Sequence, residues 1–217
     1  MKRINILFFT IGLLSIVNFC IAQNNDSKAK EVLDQMYKKA KTYSTVKILF
    51  TYTVDNKDKN VHEKQNGSAS IKGAKYHVLI SGQEIICDSS TVWTYMKDAN
   101  EVQITKAEYN DDVISPVNIF TLYQKGYKYK YQEEQIVNNK PQHVVDLFPE
   151  KSRNFFRVRL FIDKTALTIT KAEVSDKKGN TYTYTITELS PNIKLDSSIF
   201  TFDKANFQGV EVVDMRE

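Results

Sequence analysis

Side chains able to do chemistry are few in this sequence. The 217-residue chain holds three histidines, His62, His77 and His143, and two cysteines, Cys20 and Cys87. Metal capture would need histidines at ligand spacing to each other or to acids, and a nucleophile would need a base beside it. Each histidine instead stands singly in an extended segment. Cys87 closes the apolar run Ile85-Ile86-Cys87, the setting of a buried, inert thiol. The acid pairs Asp111-Asp112 and Glu133-Glu134 fall in a turn and on a strand, where solvated charge is the ordinary state. Asp176 near Gly179 lacks the other ligands of a calcium loop, and the sequence holds no Gly-x-Ser-x-Gly, phosphate-loop or dinucleotide fingerprint. No catalytic residue, metal site or cofactor is expected, and the chain is not expected to be an enzyme.

What the chain has in quantity is apolar and aromatic surface: 12 Tyr, 12 Phe and Trp93 in a chain that is 41% hydrophobic. Val, Ile, Thr and aromatic residues dominate 46–55, 61–72, 76–81, 84–88, 91–97 and 101–105, with turn chemistry such as Gly73-Ala74 and Ser81-Gly82 between them. Strands resume over 127–137, 143–148, 155–163, 167–176 and 181–189. Alternation places Ile48, Phe50, Tyr52 and Val54 on one face of the first strand. It likewise places Phe156, Val158, Leu160 and Ile162 together, against Arg157 and Arg159. Apolar spacing predicts an amphipathic helix over 27–43 and a short helix over 116–125, stopped by Gly126. With only 7 Gly and 4 Pro the strands are long and the links short. The class is therefore mainly β, single-domain: one large, curved antiparallel sheet with the helices on its concave side. Two short helices cover only part of such a face, so the rest needs a ligand or a partner.

Met1-Lys2-Arg3, an apolar run over 4–19 and the small-residue site Cys20-Ile21-Ala22 predict a signal peptide over 1–22, with the working domain over 23–217. The apolar run is shorter than the ~20 residues of a spanning helix. Loss of Lys2 and Arg3 lowers the formal charge of +4 by two, too near neutral to imply nucleic acid as a partner. Cys87 then remains as one cysteine, so no intrachain disulfide is expected.

Five stretches, in this order, carry a resemblance: the helix from Leu33 to Tyr43; Phe50-Thr51-Tyr52-Thr53-Val54; Gly67 with Ile71-Lys72 and Tyr76; Asp88-Ser89-Ser90-Thr91-Val92-Trp93-Thr94-Tyr95; and Phe200-Thr201-Phe202 followed by Gly209-Val210, Asp214 and Arg216. Together they resemble the periplasmic outer-membrane lipoprotein carrier proteins, the LolA family, in a version typical of the Bacteroidetes. The resemblance implies an unclosed antiparallel β-barrel, a half-barrel, with two or three helices lidding a hydrophobic cavity. It implies a periplasmic monomer that receives acylated lipoproteins from an inner-membrane ABC transporter and passes them to the outer membrane, where an acceptor is possible. A half-barrel that senses envelope lipid or lipoprotein without shuttling it is the alternative. The sheet face bearing Phe50, Tyr52, Val78, Ile80, Trp93, Tyr95, Phe156 and Val158 is expected to line the cavity, with Ile119, Phe120 and Leu122 in the lid. Other members hold the lid with an arginine in the turn after the second strand. Here that turn reads Lys72-Gly73-Ala74-Lys75, so the same latch is not expected.

Overall fold

Turn chemistry decides how the strands join. In the computed structural model they form one twelve-stranded sheet, and residues 17–56, 58–80, 82–108, 114–115, 117–124 and 126–216 are described, with backbone only over 17–25. The expected leader therefore falls largely outside the described residues. The elements are α1 (Val17–Ala40), β1 (Val46–Asn56), β2 (Val61–Lys72), β3 (Lys75–Ile80), β4 (Gln83–Cys87), β5 (Thr91–Met96) and β6 (Glu101–Lys106). After a crossing segment come β7 (Tyr127–Val137), β8 (Lys140–Pro149), β9 (Phe155–Asp163), β10 (Ile169–Asp176), β11 (Thr181–Pro191) and β12 (Glu211–Asp214). Their order across the sheet is β12-β6-β5-β4-β3-β2-β1-β11-β10-β9-β8-β7.

This order obliges the segment between β6 and β7 to travel from one side of the sheet to the far edge. Its described residues 114–115 and 117–124 lie against the concave face, and the segment is called the strap below. The sequence predicted a helix over 116–125, but the strap has turns over 117–121 and a single 3-10 turn, Leu122–Gln124. The described residues thus contain one α-helix, α1, not two or three. Ser115 and Asn118 cap a first turn, the Asn118 side chain accepting from the Ser115 N–H at 2.9 Å, but the turn is not continued as an α-helix. β-Branched Val117, Ile119 and Thr121 add little helix propensity, and so short a helix is marginal alone. A second correction concerns direction. Every pairing is antiparallel except β12 with β6, which is parallel. The tail enters beside the β5–β6 turn, where Asn100 Nδ2 donates to Gly209 O at 3.1 Å, and so it starts level with β6 and runs with it.

Pairing also fixes the two faces. Phe50 lies opposite Gly67, Gly67 opposite Ile80, and Ile80 opposite Gln83, so these share the concave face. On the other half, Tyr52, Tyr184, Ala172, Leu160, Val145 and Tyr131 form one row. The concave core has two parts. Ala29, Val32, Leu33 and Met36 of α1 are buried against β7–β10 residues such as Tyr131, Val145, Val158 and Leu160. The second part, around Ile48, Phe50, Ala69 and Val78, has no helix in it among the described residues; strap residues Val117 and Phe120 reach over it.

One polar group in the α1 seam gives the fold a pH dependence. The Tyr131 hydroxyl hydrogen-bonds His143 Nδ1 at 2.9 Å, and Lys28 of α1 sits 3.9 Å over the Tyr131 ring. Burial holds the His143 imidazole below its ordinary pKa, with Glu134 opposing more weakly. Between the folded and unfolded pKa values the unfolded chain binds more protons, so stability is full above ~6.5 and falls as pH drops below it. Denaturation midpoints measured from about pH 7 to 5 should decline, and His143→Gln should flatten that decline. An unchanged slope in the variant would refute the assignment.

Candidate functional site: the concave groove

The apolar alternation of β1, β2 and β3 produces the groove floor directly. Ile48 and Phe50 are fully buried there, whereas Tyr52, Tyr76, Ile80 and Ile85 on the same face stay half-exposed. From β11, Tyr184 packs its ring on Tyr52 at 4.9 Å and on Phe50 at 6.0 Å. Phe50 fits because its neighbour is Gly67: a Cβ there would stand 2.5 Å from Phe50 Cζ. Gly67→Ala should therefore displace the ring and cost about 1–3 kcal/mol in chemical denaturation. A variant as stable as the parent would show the ring is free to move.

The groove is apolar enough to control its phenols. Burial pushes the Tyr76 hydroxyl to about 12 and raises Tyr184 further. Its open end is a cavity of about 350 Å³ where α1 ends and β1 begins. Tyr37, Tyr43, Val46, Ile71, Gly73, Val117 and Phe120 line it. That size and apolar lining suit a hydrophobic ligand oriented by few polar groups.

Two tyrosine hydroxyls help to hold the strap. Tyr184 Oη donates to Ile114 O at 3.2 Å, and Tyr123 Oη donates to Asp34 Oδ1 of α1 at 3.0 Å. Ile119 and Leu122 are buried pins in the α1 side of the core, and Phe120 touches both halves. Gly73, where an arginine latch would sit, adopts φ +59 and has open space around it. Among the described residues, the two phenols and the buried pins contribute to closure.

Of the residues expected to line a cavity, the structure brings Phe50, Tyr52, Val78 and Ile80 together. Val158 shares their face but lies under α1, fully buried. Trp93 and Tyr95 do not join them. Ile86 pairs with Trp93 and Glu84 with Tyr95, which puts both on the convex face. There the C-terminal segment covers them: Trp93 stacks on Phe202 at 6.0 Å, and Tyr95 meets Phe207 at 4.7 Å. Phe156 is 49% exposed, also on the convex side. Between Arg157↔Ser175 and Phe155↔Asp176 the register slips, so residue 156 is extra and Phe155 takes the inward place. Sequence reasoning passed over Ile85, Val117, Tyr184 and Ile186. Tyr184 and Ile186 stand in a period-two run with Tyr182 that signalled them.

The histidines stay apart. His62 faces Asp55, His77 faces Glu84, and no group of three potential metal ligands occurs among the described residues. The family model described as "Outer membrane lipoprotein carrier protein LolA" matches residues 41–203. No curated protein matches the chain significantly. Among solved structures it is similar to an uncharacterized conserved protein from Thermus thermophilus, with 14% identity, 86% of this chain and 99% of that chain covered, and a TM-score of 0.56. It is also similar to a DUF1329 family protein from Desulfovibrio piger ATCC 29098, with 11% identity, coverage of 85% and 99%, and a TM-score of 0.51. At such identities the likeness is one of fold.

Proposed function

We propose, on the premise that this chain belongs to the LolA family of outer membrane lipoprotein carrier proteins, that it shelters the acyl chains of lipoproteins in its concave groove and shuttles them across the periplasm. One observation carries the reading: among the described residues, the half of the concave face around Phe50 and Ile80 has apolar side chains with no helix packed on them. Acyl chains in water cost ~0.8 kcal/mol per CH₂, so a passenger that covers this face gains what the face itself gains. Release must also be possible without an energy source in the carrier. A strap held by two tyrosine hydrogen bonds and a few apolar pins is suited to that. Cargo would come from an inner-membrane ABC transporter and leave to the outer membrane, directly or through an acceptor there. The carrier would work as a monomer behind a cleaved leader.

The test is mass spectrometry of the protein isolated from its native envelope without detergent. Acylated lipoprotein bound at near-equal amounts is expected. Free lipid without lipoprotein would turn the reading into a sensor, and an empty groove would defeat it. Depletion should in addition leave lipoproteins in the inner membrane.

A further inference from the structure

Phe156 is turned outward by the β9 bulge, and Phe148 on the neighbouring strand β8, 36% exposed, follows inward-facing Leu147, the partner of Val158, and so faces the same convex side. Two exposed phenylalanines on neighbouring strands are unfavourably placed in water. Bulges that re-aim a side chain are features of use. The surroundings are cationic. Lys128 is paired directly opposite Phe148, and Arg157 follows Phe156 on the same face, donating to Ser175 Oγ at 3.2 Å. The hairpin loop adds Lys151, and Lys177 reaches Ser152 Oγ at 2.8 Å, not a carboxylate. Lys178 stands beside them. Glu150 and Asp58 are the exposed acids at this end among the described residues, since Asp176 is turned into its own hairpin by Asn180 and Tyr182.

The geometry points to this patch as a docking site for an anionic phospholipid surface, with Phe148 and Phe156 entering the interface and Lys128, Lys151, Arg157 and Lys177 meeting the phosphates. Charge complementarity favours an anionic occupant, and the shape favours a membrane over a protein. Protein partners bury aromatic anchors in matching pockets. Exposed phenylalanines with lysines beside them on the convex sheet face suit a deformable surface that fills in around them. Aromatic side chains at the headgroup level, with basic residues beside them, are the ordinary chemistry of interfacial attachment. The patch lies on the face opposite the groove, so it does not depend on what the groove carries.

Flotation of the full chain with vesicles of phosphatidylglycerol and phosphatidylethanolamine, against vesicles of phosphatidylcholine alone, tests it. Binding to the anionic vesicles is expected, weakening as salt rises. The double variant F148S/F156S should lose about tenfold or more, and Lys128→Glu about fivefold or more. Both substitutions are at exposed positions, and unchanged thermal melting will show that the fold is intact. Equal binding to both vesicle types, no binding, or undiminished binding by F148S/F156S would each overturn the site. Binding to polyglutamate without binding to vesicles would assign the patch to an acidic protein instead and overturn it too.

Discussion

An Ile80→Asp protein is expected to fold and to lose lipopeptide capture. Ile80 sits near the end of β3, half-exposed on the groove floor, opposite Gly67 and Gln83. In the empty protein the new carboxylate can keep its water. With an acyl chain laid over it, that water is lost and no partner replaces it, a penalty of several kcal/mol. The apolar contact of the isoleucine goes as well, at ~0.8 kcal/mol per CH₂. Together these weaken binding by about a hundredfold or more. Titration with a fluorescent diacyl lipopeptide below its aggregation concentration measures it, with the exposed Lys64→Glu as control. Equal affinity in both proteins would remove Ile80 from the binding surface. Phe50, which is 2% exposed, is the wrong place for this test, because a charge there would act through folding.

The second large effect lies on the other side of the sheet. Phe200 ends the 3-10 turn Ser197–Phe200, which contacts β3 and β4, and is 1% exposed. Asp196 caps that turn by accepting from the Ser198 N–H at 3.0 Å, and so sets the ring in place. Phe200→Ala should cost about 3–5 kcal/mol. At this chain length that lowers Tm by roughly 6–20 °C. Lipopeptide affinity of the folded protein should stay within about twofold, since the brace is on the convex face and the groove on the concave. Loss of capture at temperatures where the variant is folded would mean the two faces are coupled.

Much of this architecture could be read from residue types alone, and its failures have definite causes. Strand existence followed from β-branched and aromatic runs; the amphipathic α1 followed from Ala29, Val32, Leu33 and Met36, all buried as their spacing required. Phase was harder. Ile80 pairs with Gln83, so an even number in β3 faces an odd one in β4 and an even one again in β5. Val92, Thr94 and Met96 therefore share the groove's face, and Trp93 does not. A strand boundary one residue off reverses that result. The outward turn of Phe156 rests on a bulge, which alternation by itself does not foretell. Trp93 and Tyr95 misled for a further reason: large aromatics suggest a ligand wall, yet here the C-terminal Phe202 and Phe207 are what they bind.

The strand order carries a lesson about how the molecule is made. β1 and β11 are joined along ten paired positions, Val46↔Pro191 through Asp55↔Thr181, although more than a hundred residues separate them in the chain. The sheet is thus completed at its centre, by the strand made almost last. Until β11 arrives, β1 remains an open edge and the two growing halves are tethered only by the strap. Such long-range closure is slow, and a chain that cannot zip shut until its final fifth has appeared keeps that central edge open until its synthesis is nearly complete.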